Sequence, residues 1–148
     1  MNDFDFVIQK GSEKEKEEIL KKYPGTKSVI RDGGVLITAL KCDEIIGFLW
    51  MFKREILAPV HKDEWFINVI DVPNDEYRRK GVGSGLVKEA TRYAKADGVY
   101  QISAYCDIAN VSSHLLWLKN GFSILPVHLA DGSVPGSFVG LVLQASNP

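Results

Sequence analysis

Apolar positions along the chain fall into stretches of distinct period. Residues 4–8, Phe-Asp-Phe-Val-Ile, predict a first strand. Ser12, followed three residues later by Glu15, makes a capping-box pattern that opens a charged helix running to about Lys22. In that helix Glu17 with Lys21, and Glu18 with Lys22, stand one turn apart, where opposite charges support helix. Two apolar, partly β-branched runs at 35–40 and 45–52 flank the polar stretch 41–44 and predict a hairpin. A further strand is expected over about 64–72, after the loop around Pro59. The period then changes, because Val82, Leu86, Val87, Ala90, Tyr93 and Ala94 recur at helical spacing until Asp97 and Gly98 supply a stop. Residues 99–106 read as a strand, 110–119 as a helix ending at Asn120 and Gly121, and 122–125 with 138–143 as a closing antiparallel pair. Antiparallel strands first, then strand, helix, strand, helix and a terminal hairpin give a mixed α+β pattern rather than a doubly wound one.

Length and composition narrow this picture. A chain of 148 residues, 45% hydrophobic and 25% charged, is the size of one domain with a real core, so a single domain over 1–148 is expected. A net charge of -1 gives no broad basic field, which argues against a nucleic-acid partner. Met1, Asn2, Asp3, Phe4 and Asp5 lack the basic-then-apolar pattern of a signal peptide, and the apolar run 45–52 is too short to span a bilayer. A soluble, cytoplasmic protein without a membrane partner is expected. Cys42 and Cys106 show neither CxxC nor Cys/His ligand spacing, so reduced thiols and no metal are expected.

The chemistry concentrates in the loop that joins a strand to the helix starting near Val82. Gly81, Gly83 and Gly85 let backbone approach an anion closely, and the helix that follows turns its unpaired N–H groups and the positive end of its dipole to the same spot. A pyrophosphate is the anion such a loop suits. The spacing is not the G-x-G-x-x-G of a dinucleotide-binding fold, and antiparallel strands precede it.

The run Tyr77-Arg78-Arg79-Lys80-Gly81-Val82-Gly83-Ser84-Gly85-Leu86 resembles the R-x-x-G-x-G signature of the GNAT superfamily of acyl-CoA-dependent N-acetyltransferases. About thirty residues on, Asn110, Ser113, Leu116, Trp117, Lys119, Gly121 and Phe122 resemble that family's block N-x-x-A-x-x-L-Y-x-K-x-G-F. The likeness is specific over 64–124. It implies a central, mostly antiparallel, twisted sheet flanked by helices, with acetyl-CoA as co-substrate and a small-molecule or protein amine as acceptor. It also implies that backbone amides of Arg79, Lys80, Gly81, Val82, Gly83 and Ser84 bind the pyrophosphate, with Arg78 and Lys80 adding charge nearby. The strand ending near Val72 would pair with the pantetheine arm, Asn110 would hydrogen-bond that arm, and an amide of Ile70 or Val72 beside a bulge would face the thioester oxygen.

An amine attacks only when neutral, and with a reference pKa of about 10.4 only about one in a few thousand is neutral at pH 7, so a base or a desolvating pocket is needed. Family members often place a carboxylate on the strand before the loop; Glu64 and Asp71 are the candidates, although an alignment puts Phe66 in that slot. Trp117 stands where many members carry the tyrosine that protonates the leaving thiolate, and an indole donates weakly and does not titrate usefully. His114, one turn after Asn110 and three residues before Trp117, is a candidate proton relay. Tyr105 and Cys106, at the end of the preceding strand, are weaker candidates, and Phe48, Trp50, Phe52 and Trp65 are read as core or as an acceptor pocket. A non-catalytic acyl-CoA sensor is the alternative reading, in keeping with the missing tyrosine. Residues 23–34, 53–63 and 126–137 are expected to select the acceptor, and 138–143 to offer an edge for a homodimer.

Overall fold

The structure is a computed structural model describing residues 4–30 and 32–144; residues 1–3, Arg31 within the segment 23–34, and residues 145–148 lie outside the described residues. Among the described residues seven strands and three α-helices follow one another as β1 (Val7–Lys10), α1 (Glu13–Lys22), β2 (Gly34–Lys41), β3 (Glu44–Ile56), β4 (Lys62–Asp71), α2 (Val82–Ala96), β5 (Gln101–Asp107), α3 (Val111–Lys119), β6 (Ser123–Val127) and β7 (Gly136–Val142). The strands form one mixed sheet in the order β1-β2-β3-β4-β5-β7-β6, an α+β fold. β1–β2, β2–β3, β5–β7 and β6–β7 are antiparallel, and β4–β5 is parallel, its register running from Glu64↔Gln101 to Ile67↔Ala104. Among the described residues no helix is long and apolar enough to cross a membrane.

The chain divides into two compact units. The first comprises Met1–Phe52 with Asn68–Arg92, the second Lys53–Ile67 with Tyr93–Pro148. In the first, α1 starts as its sequence requires: Glu15 N–H donates to Ser12 Oγ (3.1 Å) and Ser12 N–H to Glu15 Oε1 (2.9 Å), satisfying two donors of the first turn. Ile19, on the inner face of α1, packs with Ile30, Leu36, Phe48 and Trp50 in a buried cluster. Phe48 and Trp50 are therefore core residues, not pocket walls. The β2–β3 hairpin closes over Cys42 and Asp43, both left-handed (φ 49° and 65°), which is the conformation a two-residue type I′ turn demands. Pairing of β1 with β2 begins at Val7, later than the 4–8 pattern suggested. Phe4 instead stacks near Tyr77 (5.6 Å), and Gly85 leaves room for Phe6 and Ile8 beside α2.

In the second unit Trp65 is buried between Tyr93, edge-on at 5.6 Å, and Asp97, whose carboxylate accepts its indole N–H (2.9 Å) and pairs with Lys53 (2.7 Å). Trp65, like Phe48, belongs to the interior. Gly98, at φ 81°, ends the helical path beyond Ala96, as its place after the periodic run predicted.

One expectation fails on topology. β7 is not an edge strand: it pairs with β5 through seven residues and with β6 through five, so both its hydrogen-bonding rows are used inside the sheet. The edges are β1 and β6, and β6 carries Pro126, which lacks the N–H a neighbouring strand would need. Order in sequence is not order in space here, because the last strand inserts between β5 and β6.

Gly136 shows how tightly that insertion packs. A Cβ there would fall on the carbonyl oxygen of Cys106 and within 2.6 Å of Tyr105 Oη. Gly136→Ala is expected to lower unfolding stability by about 1–3 kcal/mol, since backbone cannot yield as a flexible side chain can. Urea denaturation of the two proteins checks this, and an unchanged midpoint would contradict the packing.

Candidate functional site

In the first unit the segment between β4 and α2 is built by local hydrogen bonds. Asn74 accepts Glu76 N–H (2.9 Å) and so opens a 3₁₀ turn over Asp75–Tyr77. Arg78 braces this turn: its Nε donates to Val72 O (2.9 Å) and its Nη1 pairs with Asp75 Oδ1 (2.8 Å). The guanidinium expected beside the phosphates is thus spent largely on shaping the loop. Arg79 (φ 60°) and Gly81 (φ 87°) are left-handed, a conformation that disfavours a side chain at Arg79 by about 1–2 kcal/mol and suits Gly81. A Cβ at Gly81 would meet nothing within 4 Å, so it is backbone conformation and not crowding that calls for glycine there.

The i→i−4 ladder of α2 begins with Gly85 N–H to Gly81 O (2.9 Å), and Val82 and Gly83 lie ahead of it, in the turn whose donors a helix does not pair internally. Arg79 and Lys80 are exposed beside that turn, whereas Gly83 and Ser84 are half-buried. Behind it Val82, Leu86 and Val87 are buried, and Gly47 on β3 lets Val82 and Leu86 come within 3.0–3.3 Å of where its Cβ would be. The helix start is therefore anchored from below and cationic above, a setting for an anionic group.

Ile70, Asp71 and Val72 lead into this loop and are half-buried. Burial raises the Asp71 carboxyl above its ordinary 3.8, with the nearby charge of Arg78 and the N–H of Val72 opposing the shift.

The second unit holds the other candidates. Glu64 is not a solvated strand-start residue but is 3% exposed. It accepts from Arg54 Nε (2.6 Å), Gln101 Nε2 (2.7 Å) and Ser103 Oγ (2.7 Å). Arg54 also lies over the Phe66 ring (3.9 Å). The parallel register explains the set, because Glu64 lies opposite Gln101, and Ser103, two residues on, shares its face. Arg54, Gln101 and Ser103 escape a reading by sequence, as nothing in their spacing links them to Glu64.

On α3, Asn110 is the N-cap, its Oδ1 accepting Ser113 N–H (3.0 Å). Trp117 is 1% exposed and donates its indole N–H to Ser113 Oγ (3.1 Å). Its carbonyl accepts Phe122 N–H (3.0 Å) across left-handed Gly121 (φ 85°), the six-to-one bond of a Schellman motif, and the two rings lie 5.0 Å apart. Trp117, expected among the cofactor-binding residues, is thus a packing residue that closes α3. His114 is half-buried, with Nδ1 2.8 Å from Asn110 O and 3.3 Å from Cys106 Sγ. Cys106 is buried, whereas Tyr105 is 41% exposed, its ring edge-on to Phe138 at 5.6 Å. Among the described residues no group of three or more His, Cys, Asp and Glu gathers to hold a metal.

Two outcomes test these roles. Trp117→Phe is expected to lower unfolding stability by about 1–2 kcal/mol through the lost hydrogen bond and ring volume, as read by urea denaturation. For Asp71 the sign follows from its raised folded pKa: its contribution is fully present below 3.8 and is lost as pH rises through the folded value. Asp71→Asn should therefore gain stability relative to wild type as pH rises from below 3.8 to neutrality. A constant difference across that range would show that burial does not perturb the carboxyl.

The family model for acetyltransferases of the GNAT family matches residues 4–122. Comparison of the sequence with curated proteins finds no match. Among solved structures the chain is similar to the ribosomal-protein-S18-alanine N-acetyltransferase of Escherichia coli (14% identity, TM-score 0.70, 97% of each chain covered). It is also similar to an IAA acetyltransferase of Bacillus cereus (20% identity, TM-score 0.69, 94% of this chain and 100% of that one). A third is the PaiA N-acetyltransferase of Thermoplasma acidophilum, solved in complex with coenzyme A (15% identity, TM-score 0.68, 94% and 99% covered). At these identities the likeness to solved structures speaks for the fold, and the family model, which spans most of the chain, speaks for descent: the chain belongs to the GNAT acetyltransferase family, whose members transfer acyl groups from acyl-CoA.

Proposed function

We propose that residues 1–148 form one acetyltransferase domain that moves an acetyl group from acetyl-CoA to an amine acceptor by direct attack in a ternary complex. The observation that carries this reading is the braced, left-handed loop 78–84 running into the anchored start of α2. Amides of Arg79, Lys80, Gly81, Val82, Gly83 and Ser84 take the pyrophosphate, with the charge of Lys80 beside them. Each charge-assisted hydrogen bond to such an anion is worth about 1.5–3 kcal/mol, so three or four of them account for micromolar binding after the entropy of association. Ile70 and Val72 pair with the pantetheine arm through backbone.

Of the two carboxylates, Asp71 is assigned as the base. Burial raises its affinity for a proton, whereas the oxygens of Glu64 already accept from Arg54, Gln101 and Ser103. Glu64 then serves to hold β4, β5 and Arg54 together. Thiolate departure is easier than amine activation, because a thiol of pKa about 8.5 leaves unprotonated at pH 7 at a cost of about 2 kcal/mol. The acceptor is a small molecule or a protein amine in the cytoplasm.

The sensor reading draws on one observation, the engagement of Trp117 N–H by Ser113 where a proton donor would serve catalysis. Isothermal titration with acetyl-CoA and CoA, alongside thiol release over spermidine, a free amino acid, an aminoglycoside and an N-terminal peptide, separates the two. Micromolar binding with thiol release is expected, and Gly83→Asp should reduce affinity at least tenfold by setting a carboxylate against the pyrophosphate. Binding without release would favour the sensor, and no binding would overturn both.

A further inference from the structure

The loop over 78–84 is entered from Tyr77 and left at Gly85, and one short stretch of chain touches both ends. Phe4 sets its ring 5.6 Å from that of Tyr77, and the side chains of Phe6 and Ile8 lie 3.2 Å from where a Cβ of Gly85 would stand. We propose that residues 4–8 act as a clasp that keeps the loop in its anion-binding form, with Phe4 as the positioning residue; this rests on the acyl-CoA reading above.

The segment has the geometry for that role. Phe4, Phe6 and Ile8 are half-buried while Asp5 and Val7 are exposed, so the period-two alternation that predicted a strand from residue 4 continues ahead of the first paired residue. From Val7 onward the stretch is fixed by pairing with β2. Phe4, outside that pairing, is held by rings and charge. Its ring lies 5.8 Å from that of Phe6 and is tilted by 43° against that of Tyr77, and Lys41 Nζ stands 4.5 Å from its centroid. At the other end the absence of a side chain on Gly85 is what lets Phe6 and Ile8 close onto α2.

The loop needs such a hold. Arg79 is left-handed, a conformation that disfavours its side chain. The Arg78–Asp75 pair that braces the turn has side chains 55% and 89% exposed, where solvent screening leaves an ion pair little strength. Tyr77 is half-buried and ends the 3₁₀ turn, one residue before Arg78, so fixing its ring fixes the direction in which the chain enters the loop. Gly85 N–H donates to Gly81 O (2.9 Å), so side chains that rest on Gly85 also bear on the first bond of α2. With both ends set before an anion arrives, the amides between them are already aimed and less entropy is lost on binding.

Phe4→Ala removes the outer finger of the clasp and leaves every residue of the loop in place. Titration with acetyl-CoA is expected to show an affinity lower by about threefold or more, and Phe4→Tyr, which keeps the ring, an affinity within about twofold of wild type. Nitrogen-15 relaxation of the unliganded proteins supplies a readout that needs no coenzyme. Backbone order parameters at Arg79 and Lys80 are expected to fall from about 0.85, the value of rigid backbone, to below about 0.6 in Phe4→Ala, with β2 and β3 unchanged. A smaller fall in affinity, a loss in Phe4→Tyr as large as in Phe4→Ala, unchanged order at Arg79 and Lys80, or an equal loss of order through β2 and β3 would overturn the clasp. Failure of the wild-type protein to bind acetyl-CoA would overturn the acyl-CoA reading instead, and the relaxation data would still decide whether the segment holds the loop.

Discussion

The carboxylate of Glu64 sits where water does not reach, and its neighbours in the second unit are arranged around that fact. A buried carboxylate without partners is strongly unfavourable, and pairing it with a single cation seldom recovers the loss of hydration in full. Here three donors from two strands converge on it, Arg54 from β3 and Gln101 and Ser103 from β5. Because Gln101 and Ser103 can both reach only if β5 lies parallel to β4 in this register, the cluster makes a one-residue slip costly: it would turn Glu64 away from both. No buried side-chain nitrogen or oxygen among the described residues lacks a partner, as such a register requires.

A comparable logic shapes the first unit, although the constraint there is backbone conformation. Arg79 is held left-handed at some energetic disadvantage, and the loop keeps that form because Arg78 ties Val72 to Asp75 on one side while buried Val82, Leu86 and Val87 seat α2 on the other. A loop held in this way by its supports loses less conformational entropy on binding any ligand. Arg78, which ties Val72 to Asp75, is one of those supports.

α3 is closed by packing at one end and by a side-chain cap at the other. Trp117, Gly121 and Phe122 terminate it through the Schellman bond and the ring contact, which gives the family-like sequence block at this position a physical meaning apart from any cofactor. Asn110 caps its other end with a side-chain oxygen while its carbonyl oxygen holds the ring of His114. The same residue thus meets both the first turn of the helix and the ring of the histidine one turn later.

Much of this was legible in the residues alone. The capping box at Ser12, the hairpin across the polar stretch 41–44, the glycine stops at Gly98 and Gly121, and the helical run from Val82 depend on interactions between residues within about five positions of one another, so spacing suffices to reveal them. The glycine loop was legible for the same reason. The insertion of β7 between β5 and β6, the burial of Glu64 with Arg54, Gln101 and Ser103, and the meeting of Cys106 with His114 were not. Each brings together groups that periodicity cannot pair, because a pattern of apolar positions says which face of a strand is inward but not which strand lies beside it. Local hydrogen bonding and chain stereochemistry were determined by sequence; strand order, and with it the partners of every buried polar group, was decided only by the tertiary structure.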